Sequence, residues 1–297
     1  MTRVLVTGAS GFTGRYVVQA LLDRGNEVHT LVRNTSMTGL DGVFNHSCDL
    51  TDLGALEAVV KNVAPARIVH LAAIAFVAHG DVDEMYRANI IGTRNLLDAL
   101  ARQHLPESII LASSANIYGN ACSGIISEAT PPRPANDYGI TKFAVEELAK
   151  LYSDRLPIIV TRPFNYTGLG QSSKYIVPKI VEHVRLRAER LEIGNIDVER
   201  DFSDVRAVAE VYAQLTETPA ATSGTFNICS GRAVSLRHII DTACQLGGHS
   251  MEVAINPDFV RANEVRSLCG NPERLEAVIG PIRMSPLEDT LRWMLEA

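Results

Sequence analysis

The chain has 297 residues, of which 46% are hydrophobic, and its formal net charge is −6 at pH 7. A chain of this length and composition can bury a sizeable core, so we expect a globular protein, either one large α/β unit or a domain with a smaller companion. The acidic balance leaves no basic patch, which argues against nucleic acid as a partner.

The sequence carries no sign of export, membrane insertion or metal binding. The N-terminal run MTRVLVTGAS enters a strand without the basic and apolar segments of a secretory signal. No apolar run reaches the ~18 residues that a membrane span requires. The five cysteines lack the paired short spacing of zinc sites, which favours reduced thiols. We therefore predict a cytoplasmic protein with no metal and no membrane partner.

Two kinds of sequence alternate from the N-terminus to Pro163, short β-rich apolar runs and longer amphipathic stretches. The strand-like runs are residues 3–7, 27–32, 43–47, 67–73, 108–114 and 157–163. The helix-like stretches are residues 14–24, 52–63, 83–104 and 138–155. This alternation is typical of repeated βαβ units, and it predicts a doubly wound α/β fold, with a parallel sheet covered by helices on both faces.

Beyond Pro163 the alternation loosens. The predicted elements are a loop at 164–174, a helix near 175–188, a short strand at 191–194, a helical pattern over 200–212 and a buried strand at 225–231. We expect two units, a domain of residues 1–165 and 202–232 on the main sheet, and a smaller, discontinuous lobe of residues 166–201 and 233–297.

Three glycines, Gly8, Gly11 and Gly14, separate the first strand from the first helix. Glycines at this junction permit a tight turn and let a pyrophosphate approach backbone N–H groups, while the helix N-terminus adds partial positive charge. The spacing is one residue longer than the usual dinucleotide fingerprint. Arg15 and Tyr16 follow, so the Lys-Ser/Thr ending of a P-loop is missing. We interpret the segment as a dinucleotide-binding turn.

The end of the second strand bears on which nicotinamide dinucleotide binds. An NAD site typically holds an acidic residue there to bind the ribose hydroxyls, whereas this chain has Val32 followed by Arg33. A guanidinium suits the 2′-phosphate of NADP. We therefore predict NADP(H) as the preferred cofactor, with NAD(H) as the alternative.

A serine, a tyrosine and a lysine are predicted to meet at the carboxyl end of the sheet. Ser113 and Ser114 end a strand there. Tyr138 and Lys142, four residues apart, share one face of the following helix. The lysine, together with the positive nicotinamide of an oxidised cofactor, should lower the pKa of the tyrosine below ~10, so that the phenol exchanges a proton near neutrality. Ser114 would hold a carbonyl oxygen by a hydrogen bond while hydride arrives.

Eight short segments follow one another along nearly the whole chain. They are the glycine turn at 8–14, CDLTD at 48–52, HLAA at 70–73, NIIGTRNLLDA at 89–99, SSANIYG at 113–119, DYGITK at 137–142, RPFNYTG at 162–168 and RDFSDV at 200–205. Together, in this order, they resemble the motifs of extended short-chain dehydrogenases/reductases of the nucleotide-sugar epimerase and dehydratase kind.

The resemblance implies a Rossmann domain, a nucleotide-sugar substrate and a set of site residues. The implied catalytic residues are Ser114, Tyr138 and Lys142. With Arg33 added, the predicted cofactor-binding residues are Gly8, Ser10, Gly11, Phe12, Thr13, Gly14, Arg33, Asp49, Leu50, Leu71, Ala72, Ala73, Asn89, Tyr138, Lys142 and Phe164. The predicted substrate-binding residues are Ser114, Asn116, Asn165, Arg200 and Arg261.

Some of these residues have specific roles in the family. The resemblance implies that Asp49 and Leu50 flank the adenine and that Phe164 lies near the nicotinamide. It also implies that Asn89 orders the catalytic lysine or a water. Many relatives pair two helices into a dimer seam, so we expect a homodimer formed by the helices at 84–103 and 138–155.

The residue two positions after Ser114 limits the reaction. Dehydratases of the family carry a glutamate there as the base that removes a proton beside a ketone, but this chain has Asn116, whose amide is no base. Simple reduction and 4-epimerisation through a transient ketone remain. The predicted NADP preference favours reduction. Segments 162–171, 200–208 and 225–231 look most like those of reductases that convert GDP-4-keto-6-deoxymannose to GDP-rhamnose.

We therefore expect an NADPH-dependent reductase of a nucleotide-linked 4-keto-6-deoxyhexose. The alternatives are a nucleotide-hexose 4-epimerase that keeps NAD bound, a 4,6-dehydratase whose base comes from elsewhere, and a non-catalytic NADP sensor. A sensor has no need of serine, tyrosine and lysine together, so their presence argues against it.

Overall fold

The structure, a computed structural model, describes residues 1–33, 41–75, 80–103, 105–120, 124–259 and 265–297. Its strands are β1 (Arg3–Thr7), β2 (Glu27–Val32), β3 (Val43–Ser47), β4 (Arg67–His70), β5 (Ser108–Ala112), β6 (Gly124–Ile126), β7 (Ile158–Pro163), β8 (Asn165–Thr167), β9 (Arg190–Ile193), β10 (Glu199–Asp204), β11 (Thr225–Ile228), β12 (Ala233–Ser235), β13 (Glu252–Ile255) and β14 (Ser267–Gly270). Its helices are α1 (Phe12–Asp23), α2 (Leu53–Val63), α3 (Val82–Tyr86), α4 (Gly92–Gln103), α5 (Asp137–Tyr152), α6 (Ile176–Arg185), α7 (Val205–Thr216), α8 (Leu236–Gly247), α9 (Glu273–Ile279) and α10 (Leu287–Glu296).

Seven of the described strands form one parallel sheet in the order β11-β7-β5-β4-β1-β2-β3. Apolar clusters cover both faces, one beneath α1 and α7 and the other beneath α2, α4 and α5. The fully buried β5 run SIILA shows why such strands are apolar at every position. The predicted doubly wound α/β fold is confirmed.

The strand order reverses between β1 and β4, since β2 and β3 lie to one side of β1 while β4, β5 and β7 lie to the other. In an open α/β sheet, ligands bind outside the carboxyl ends of the strands at such a switch point. The glycine turn follows β1 and residues 71–73 follow β4. The topology therefore brings these two predicted cofactor segments together.

The remaining described strands build a smaller lobe. Strands β12, β10, β14 and β6 form a sheet, β8 pairs with β10, and β9 pairs with β13. Helices α6, α8 and α10 enclose an apolar cluster of their own. Strand β6 comes from the first half of the chain and pairs with β14. The smaller lobe is therefore formed by separate stretches of the chain. The division into two domains at the stated boundaries stays a prediction.

The helical pattern predicted over 200–212 is wrong for its first residues. The segment Glu199–Asp204 is strand β10, and helix α7 begins only at Val205. Asp201 is fully buried, and its carboxylate accepts hydrogen bonds from the backbone N–H groups of Ser230, Gly231 and Gly270. Since these partners lie 29 to 69 residues away, they stabilise an extended segment that the local pattern does not reveal.

No helix in the described ranges is both long and apolar enough to cross a bilayer. Cys48, Cys229, Cys244 and Cys269 are free thiols, and Cys122 lies outside the described residues. Over the same ranges, no group of three or more His, Cys, Asp or Glu side chains could hold a metal ion.

A buried ion pair fastens α5 to the sheet. Arg162 on β7 donates from Nε and Nη2 to the two carboxylate oxygens of Glu146, at 2.9 and 2.6 Å. Its Nη1 donates to the Tyr118 hydroxyl at 2.9 Å, and that hydroxyl donates to Asn227 Oδ1 at 2.8 Å. Both charged side chains are over nine-tenths buried. This network connects α5, β7 and β11, so the helix has one fixed position on the sheet.

Glu146→Gln should strongly destabilise the fold, because it leaves the buried Arg162 guanidinium without its counter-charge. We expect a loss of about 3–5 kcal/mol in the free energy of unfolding, measured by urea titration. Glu147→Gln is the matched control, since the partner of Glu147 among the described residues is the exposed Lys150, and this variant should change stability by less than about 1 kcal/mol. Equal losses in the two variants would contradict this account of the ion pair.

Candidate active site

The glycine turn is closely packed against its own backbone. Gly8 has φ +73°, and a Cβ there would lie 2.7 Å from the backbone nitrogen of Ala72. A Cβ on Gly14 would lie 2.2 Å from the carbonyl oxygen of Gly8. Gly8 therefore permits the close approach of the segment after β4, and Gly14 permits the close approach of α1 to the turn.

Gly11 differs from its two neighbours in the turn. It is exposed, and among the described residues an added Cβ would meet the Gly8 carbonyl oxygen at 3.2 Å and nothing else within 4 Å. Gly11 precedes the 12-residue helix α1, whose N-terminus has no side-chain cap among the described residues. An exposed helix N-terminus without a side-chain cap suits a pyrophosphate. The role of this turn in binding a dinucleotide stays a prediction.

A buried histidine holds the segment after β4 beside this turn. The backbone N–H of Ala72 donates to Thr7 Oγ1 at 3.1 Å, and Thr7 Oγ1 lies 2.7 Å from His70 Nδ1. On the other side of the ring, His70 Nε2 lies 2.9 Å from Thr93 Oγ1, which itself donates to the Asn89 carbonyl. Because the Thr93 hydroxyl gives its proton to the Asn89 carbonyl, it accepts from His70 Nε2–H, and the Thr7 hydroxyl then donates to Nδ1. Burial lowers the pKa of His70 to about 3, which keeps the ring neutral.

The residues predicted to contact the adenosine lie at the ends of β2 and β3. Arg33 is 74% exposed, with Nη1 3.5 Å from Glu84 Oε1. Asp49 accepts hydrogen bonds from the backbone N–H and hydroxyl of Thr51, both at 2.8 Å. These bonds lower the pKa of Asp49, and the charge of Arg33 adds to the effect. An exposed guanidinium and an ionised carboxylate thus stand near each other beyond the strand ends.

Ser114 follows the end of β5 and faces the start of α5. Its Oγ accepts hydrogen bonds from the backbone N–H and the side-chain amide of Asn116, both at 3.1 Å. A side-chain hydrogen bond with Ser114 also acts on the phenol of Tyr138 and lowers its pKa. Helix α5 begins at this point because Asn136 Oδ1 accepts from the backbone N–H of Gly139 at 2.8 Å and caps the helix. The serine and the tyrosine therefore meet as predicted.

Lys142 lies beneath the tyrosine, one turn further along α5. Its Nζ donates to the Ala112 carbonyl at 2.6 Å and lies 5.9 Å from the centroid of the Tyr138 ring. The side chain is 4% exposed. Burial lowers the pKa of Lys142 to about 8, and the carboxylate of Glu146 partly opposes this. The structure thus brings Ser114, Tyr138 and Lys142 into one small volume.

The protein groups around Tyr138 raise its pKa, and the predicted lowering, which included the charge of an oxidised nicotinamide, stays a prediction. Burial, followed by the nearby phenol of Tyr166, raises the pKa of Tyr138, and the hydrogen bond with Ser114 opposes the rise. The ammonium of Lys142, which donates to the Ala112 carbonyl and lies 5.9 Å from the Tyr138 ring centroid, does not outweigh the effect of burial. Tyr138 is therefore a neutral phenol near pH 7, which is the form that donates a proton.

Asn89 acts on the helix that carries the lysine. It lies in a π-helical turn, Arg87–Ile91, which divides the predicted helix 83–104 into α3 and α4. Its amide donates to the Ile74 carbonyl at 3.1 Å and to Thr141 Oγ1 at 3.0 Å, and it accepts from the Ile74 N–H at 2.8 Å. These bonds connect the segment after β4 to α5, beside Lys142.

Three other predicted site residues contact partners outside the group of Ser114, Tyr138 and Lys142. Phe164 is buried with its ring centroid 6.2 Å from that of Tyr118, so its side chain faces the core. Asn165 is exposed and donates to the Asp201 carbonyl at 3.2 Å. Arg200 donates to the carbonyl oxygens of Glu199 and Val265, both at 2.8 Å. Arg261 lies outside the described residues. The roles of all these residues stay predictions.

Sequence reasoning did not single out two phenols that lie beside Tyr138. Both Tyr166 and Tyr175 contribute to its raised pKa. Tyr166 also shares a hydrogen bond of 2.7 Å with Thr13 in the glycine turn. Its position inside the segment RPFNYTG was the available signal, but only the fold shows that β8 runs past the turn.

Residues 5–294 match the protein family described as GDP-mannose 4,6 dehydratase. The chain belongs to this family. A GDP-6-deoxy-D-talose 4-dehydrogenase of Aggregatibacter actinomycetemcomitans is 32% identical, over 94% of this chain and 91% of that protein. A GDP-6-deoxy-D-mannose reductase of Pseudomonas aeruginosa is 29% identical, over 99% of this chain and 96% of that protein.

Solved structures of similar proteins agree with this family assignment. A protein from Burkholderia cenocepacia J2315, provisionally named an epimerase, has a TM-score of 0.94 and 43% identity, with 99% of this chain and 97% of that chain covered. RMD from Pseudomonas aeruginosa, complexed with NADPH, has a TM-score of 0.85 and 29% identity, with 100% and 98% covered. The predicted enzyme class, an NAD(P)-dependent oxidoreductase related to nucleotide-sugar reductases and epimerases, is confirmed.

Gly14→Ala should weaken NADPH binding, because the added methyl group forces α1 away from the Gly8 carbonyl. We expect NADPH affinity to fall by about ten-fold or more, measured by titration of protein fluorescence. Gly54→Ala on α2 is the control, since its Cβ would meet nothing closer than Asp52 Oδ1 at 3.6 Å. Unchanged NADPH affinity in a folded Gly14→Ala protein would contradict the assigned turn.

Proposed function

We propose that the protein reduces a nucleotide-linked 4-keto-6-deoxyhexose at carbon 4 with NADPH, most specifically GDP-4-keto-6-deoxymannose to GDP-D-rhamnose. The observation that carries this proposal is the meeting of Ser114, a neutral Tyr138 and Lys142 at the carboxyl end of the sheet. Two relatives support the sugar class, since both are named for GDP-linked 6-deoxyhexoses.

Each of the three residues has one task in this reaction. The Ser114 hydroxyl donates a hydrogen bond to the ketone oxygen and polarises it. A bound reduced nicotinamide supplies the hydride that carbon 4 accepts. Tyr138 gives its phenolic proton to the oxygen that becomes the new hydroxyl, and the nearby Lys142 ammonium stabilises the phenolate that remains. A proton from solvent then restores the phenol, so one ketone, one NADPH and one proton are consumed together.

The raised pKa of Tyr138 supports reduction. A reductase needs a phenol that carries its proton when the ketone arrives, and burial favours that form. An enzyme that begins by oxidising an alcohol needs the phenolate instead. The protonated phenol of Tyr138 is therefore compatible with the reductive direction.

Asn116 argues against dehydration, the reaction after which the family is named. Its side-chain amide donates to Ser114 Oγ, and an amide has no basic site for removing a proton from carbon. The second candidate is a nucleotide-hexose 4-epimerase with bound NAD, which the similar protein from Burkholderia cenocepacia supports through its name. Net consumption of NADPH separates the two, because an epimerase regenerates its cofactor in every turnover.

NADP(H) is our proposed cofactor because Arg33 presents an exposed guanidinium at the end of β2. A kcat/KM that is higher with NADH than with NADPH would contradict this.

The expected homodimer, which sedimentation can test, and the cytoplasmic location both stay predictions. Exposed apolar side chains on the helices in question, Val82, Ile91, Ile140 and Leu151, are compatible with a dimer seam.

Tyr138→Phe should lower kcat by about 10²- to 10⁴-fold, because the variant has no proton to donate. The assay follows NADPH absorbance with GDP-, dTDP- and UDP-linked 4-keto-6-deoxyhexoses and identifies the sugar formed. NADPH affinity should stay within about two-fold, since the phenyl ring is retained. Tyr152→Phe, which removes a phenol bonded to Asp98 away from this site, is the control. Undiminished turnover in Tyr138→Phe, or no turnover of any of these sugars by the unmodified enzyme, would refute the proposal.

The pH dependence of kcat/KM should reflect the ionisation of Lys142. The lowered pKa of Lys142 means that its ammonium is charged below about pH 8 and becomes neutral above it. We therefore expect kcat/KM to decline as the pH rises through about 8, before the tyrosine with its raised pKa ionises. Lys142→Arg should remove this decline in whatever activity remains, and Lys150→Arg, on the exposed face of α5, should not. A flat profile between pH 7 and 9 would contradict the role of the ammonium.

A further inference from the structure

Tyr166, on strand β8, contacts the glycine turn at the start of α1. Its hydroxyl and the Thr13 hydroxyl lie 2.7 Å apart and share a hydrogen bond. Its ring is stacked on that of Phe12, with centroids 6.1 Å apart and an angle of 10° between the planes. Phe12 and Thr13 are the first two residues of α1, where a dinucleotide phosphate is predicted to bind. Tyr166 therefore touches the turn with both its hydroxyl and its ring.

The backbone of Tyr166 belongs to the strand pair of the smaller lobe. In the pairing of β8 with β10, Tyr166 lies opposite Ser203. Its carbonyl accepts from Gln171 Nε2 at 3.2 Å, and Gln171 Oε1 accepts from the Thr167 hydroxyl at 2.8 Å. A displacement of the phenol is therefore transmitted to the strand pair, because the backbone on either side of Tyr166 is fixed.

The same strand pair carries two of the predicted substrate-binding residues. Asn165 immediately precedes Tyr166 on β8, and Arg200 lies on β10. Tyr166 also lies near the catalytic candidate, since it contributes to the raised pKa of Tyr138. Tyr166 thus touches the predicted cofactor turn, while its strand pair holds two residues predicted to bind the substrate.

The geometry points to Tyr166 as a positioning residue that couples the glycine turn to the β8–β10 strand pair, so that the dinucleotide and the nucleoside diphosphate of the substrate bind cooperatively. This inference rests on the proposed function for the two ligand classes. A phosphate at the turn fixes Phe12 and Thr13, and the shared hydrogen bond then fixes Tyr166 and its strand. By thermodynamic linkage, each ligand raises the affinity of the other by the same factor.

The coupling factor is the ratio of NADPH dissociation constants without and with a saturating nucleoside diphosphate. GDP and UDP serve as the probes, and fluorescence titration gives the constants. A single neutral hydrogen bond sets the expected size, so we expect the unmodified protein to show coupling of about two- to ten-fold with at least one probe. Tyr166→Phe should bring the factor close to one, although its phenyl ring keeps the stacking on Phe12.

Two further variants show whether the hydroxyl–hydroxyl bond carries the coupling. Thr13→Val removes the other partner and should have the same effect, and the double variant should lose nothing more. Thr13→Ser restores a hydroxyl and should restore the coupling. Tyr152→Phe, which loses a phenol hydrogen bond of the same 2.7 Å length to Asp98, should retain the full factor. A variant that is merely less stable does not produce this pattern. Both dissociation constants in the coupling factor are measured on the folded fraction of the same variant, so a change in stability cancels in their ratio.

The outcomes separate this inference from the proposed function. A factor of one in the unmodified protein with both probes, or an unchanged factor in Tyr166→Phe and Thr13→Val, would overturn the inference even if the enzyme reduces a keto-sugar. Coupling that Tyr166→Phe abolishes would support the inference even if no keto-sugar is turned over, in which case only the proposed reaction fails.

Discussion

The hydrogen bond from the Lys142 ammonium to the Ala112 carbonyl is the contact on which the candidate site depends. It joins α5 to the end of β5, two residues before Ser114 and one helical turn after Tyr138. A buried ammonium needs such a partner, because an unpaired charge in this position would be strongly destabilising. The bond therefore fixes a helix and a strand at the separation at which the serine and tyrosine hydroxyls meet.

Helix α5 combines chemistry and stability on a single face. Tyr138, Lys142 and Glu146 follow at intervals of four residues, so they lie above one another. The first two belong to the candidate site, and the third forms the buried ion pair with Arg162. The carboxylate of Glu146 also favours the charged form of Lys142. The ion pair thus stabilises the fold and supports the ammonium on which the proposed reaction relies.

Much of this arrangement could be predicted from the sequence, because the signals are local. The alternation of strand-like and helix-like runs predicted the parallel sheet, and the spacing of Tyr138 and Lys142 predicted a shared helix face. Strand β10 was mistaken for helix because its extended form depends on Asp201 and distant backbone N–H groups. The π-helical turn at Asn89 likewise depends on bonds to Ile74 and Thr141, which no local pattern encodes.

The tyrosine pKa shows a second limit of sequence reasoning. Proximity to a lysine and to an oxidised nicotinamide predicted a lowered value, but the value also depends on burial, which follows from tertiary packing. The same holds for Tyr166, whose neighbours Phe12 and Thr13 are more than 150 residues away. Short motifs therefore identified the catalytic candidates. The protonation of these residues and their connection to the smaller lobe could be described only from the three-dimensional fold.

The central claim is that these residues direct a net transfer of hydride to carbon 4 of a nucleotide-linked keto-sugar. The most direct measurement follows deuterium from NADPH labelled at the transferable position of its nicotinamide, with mass spectrometry and NMR of the sugar product. The proposed reduction predicts one deuterium at carbon 4 for each NADPH oxidised. An unlabelled sugar with inverted configuration at carbon 4 and no loss of NADPH would contradict it and assign the site to an epimerase.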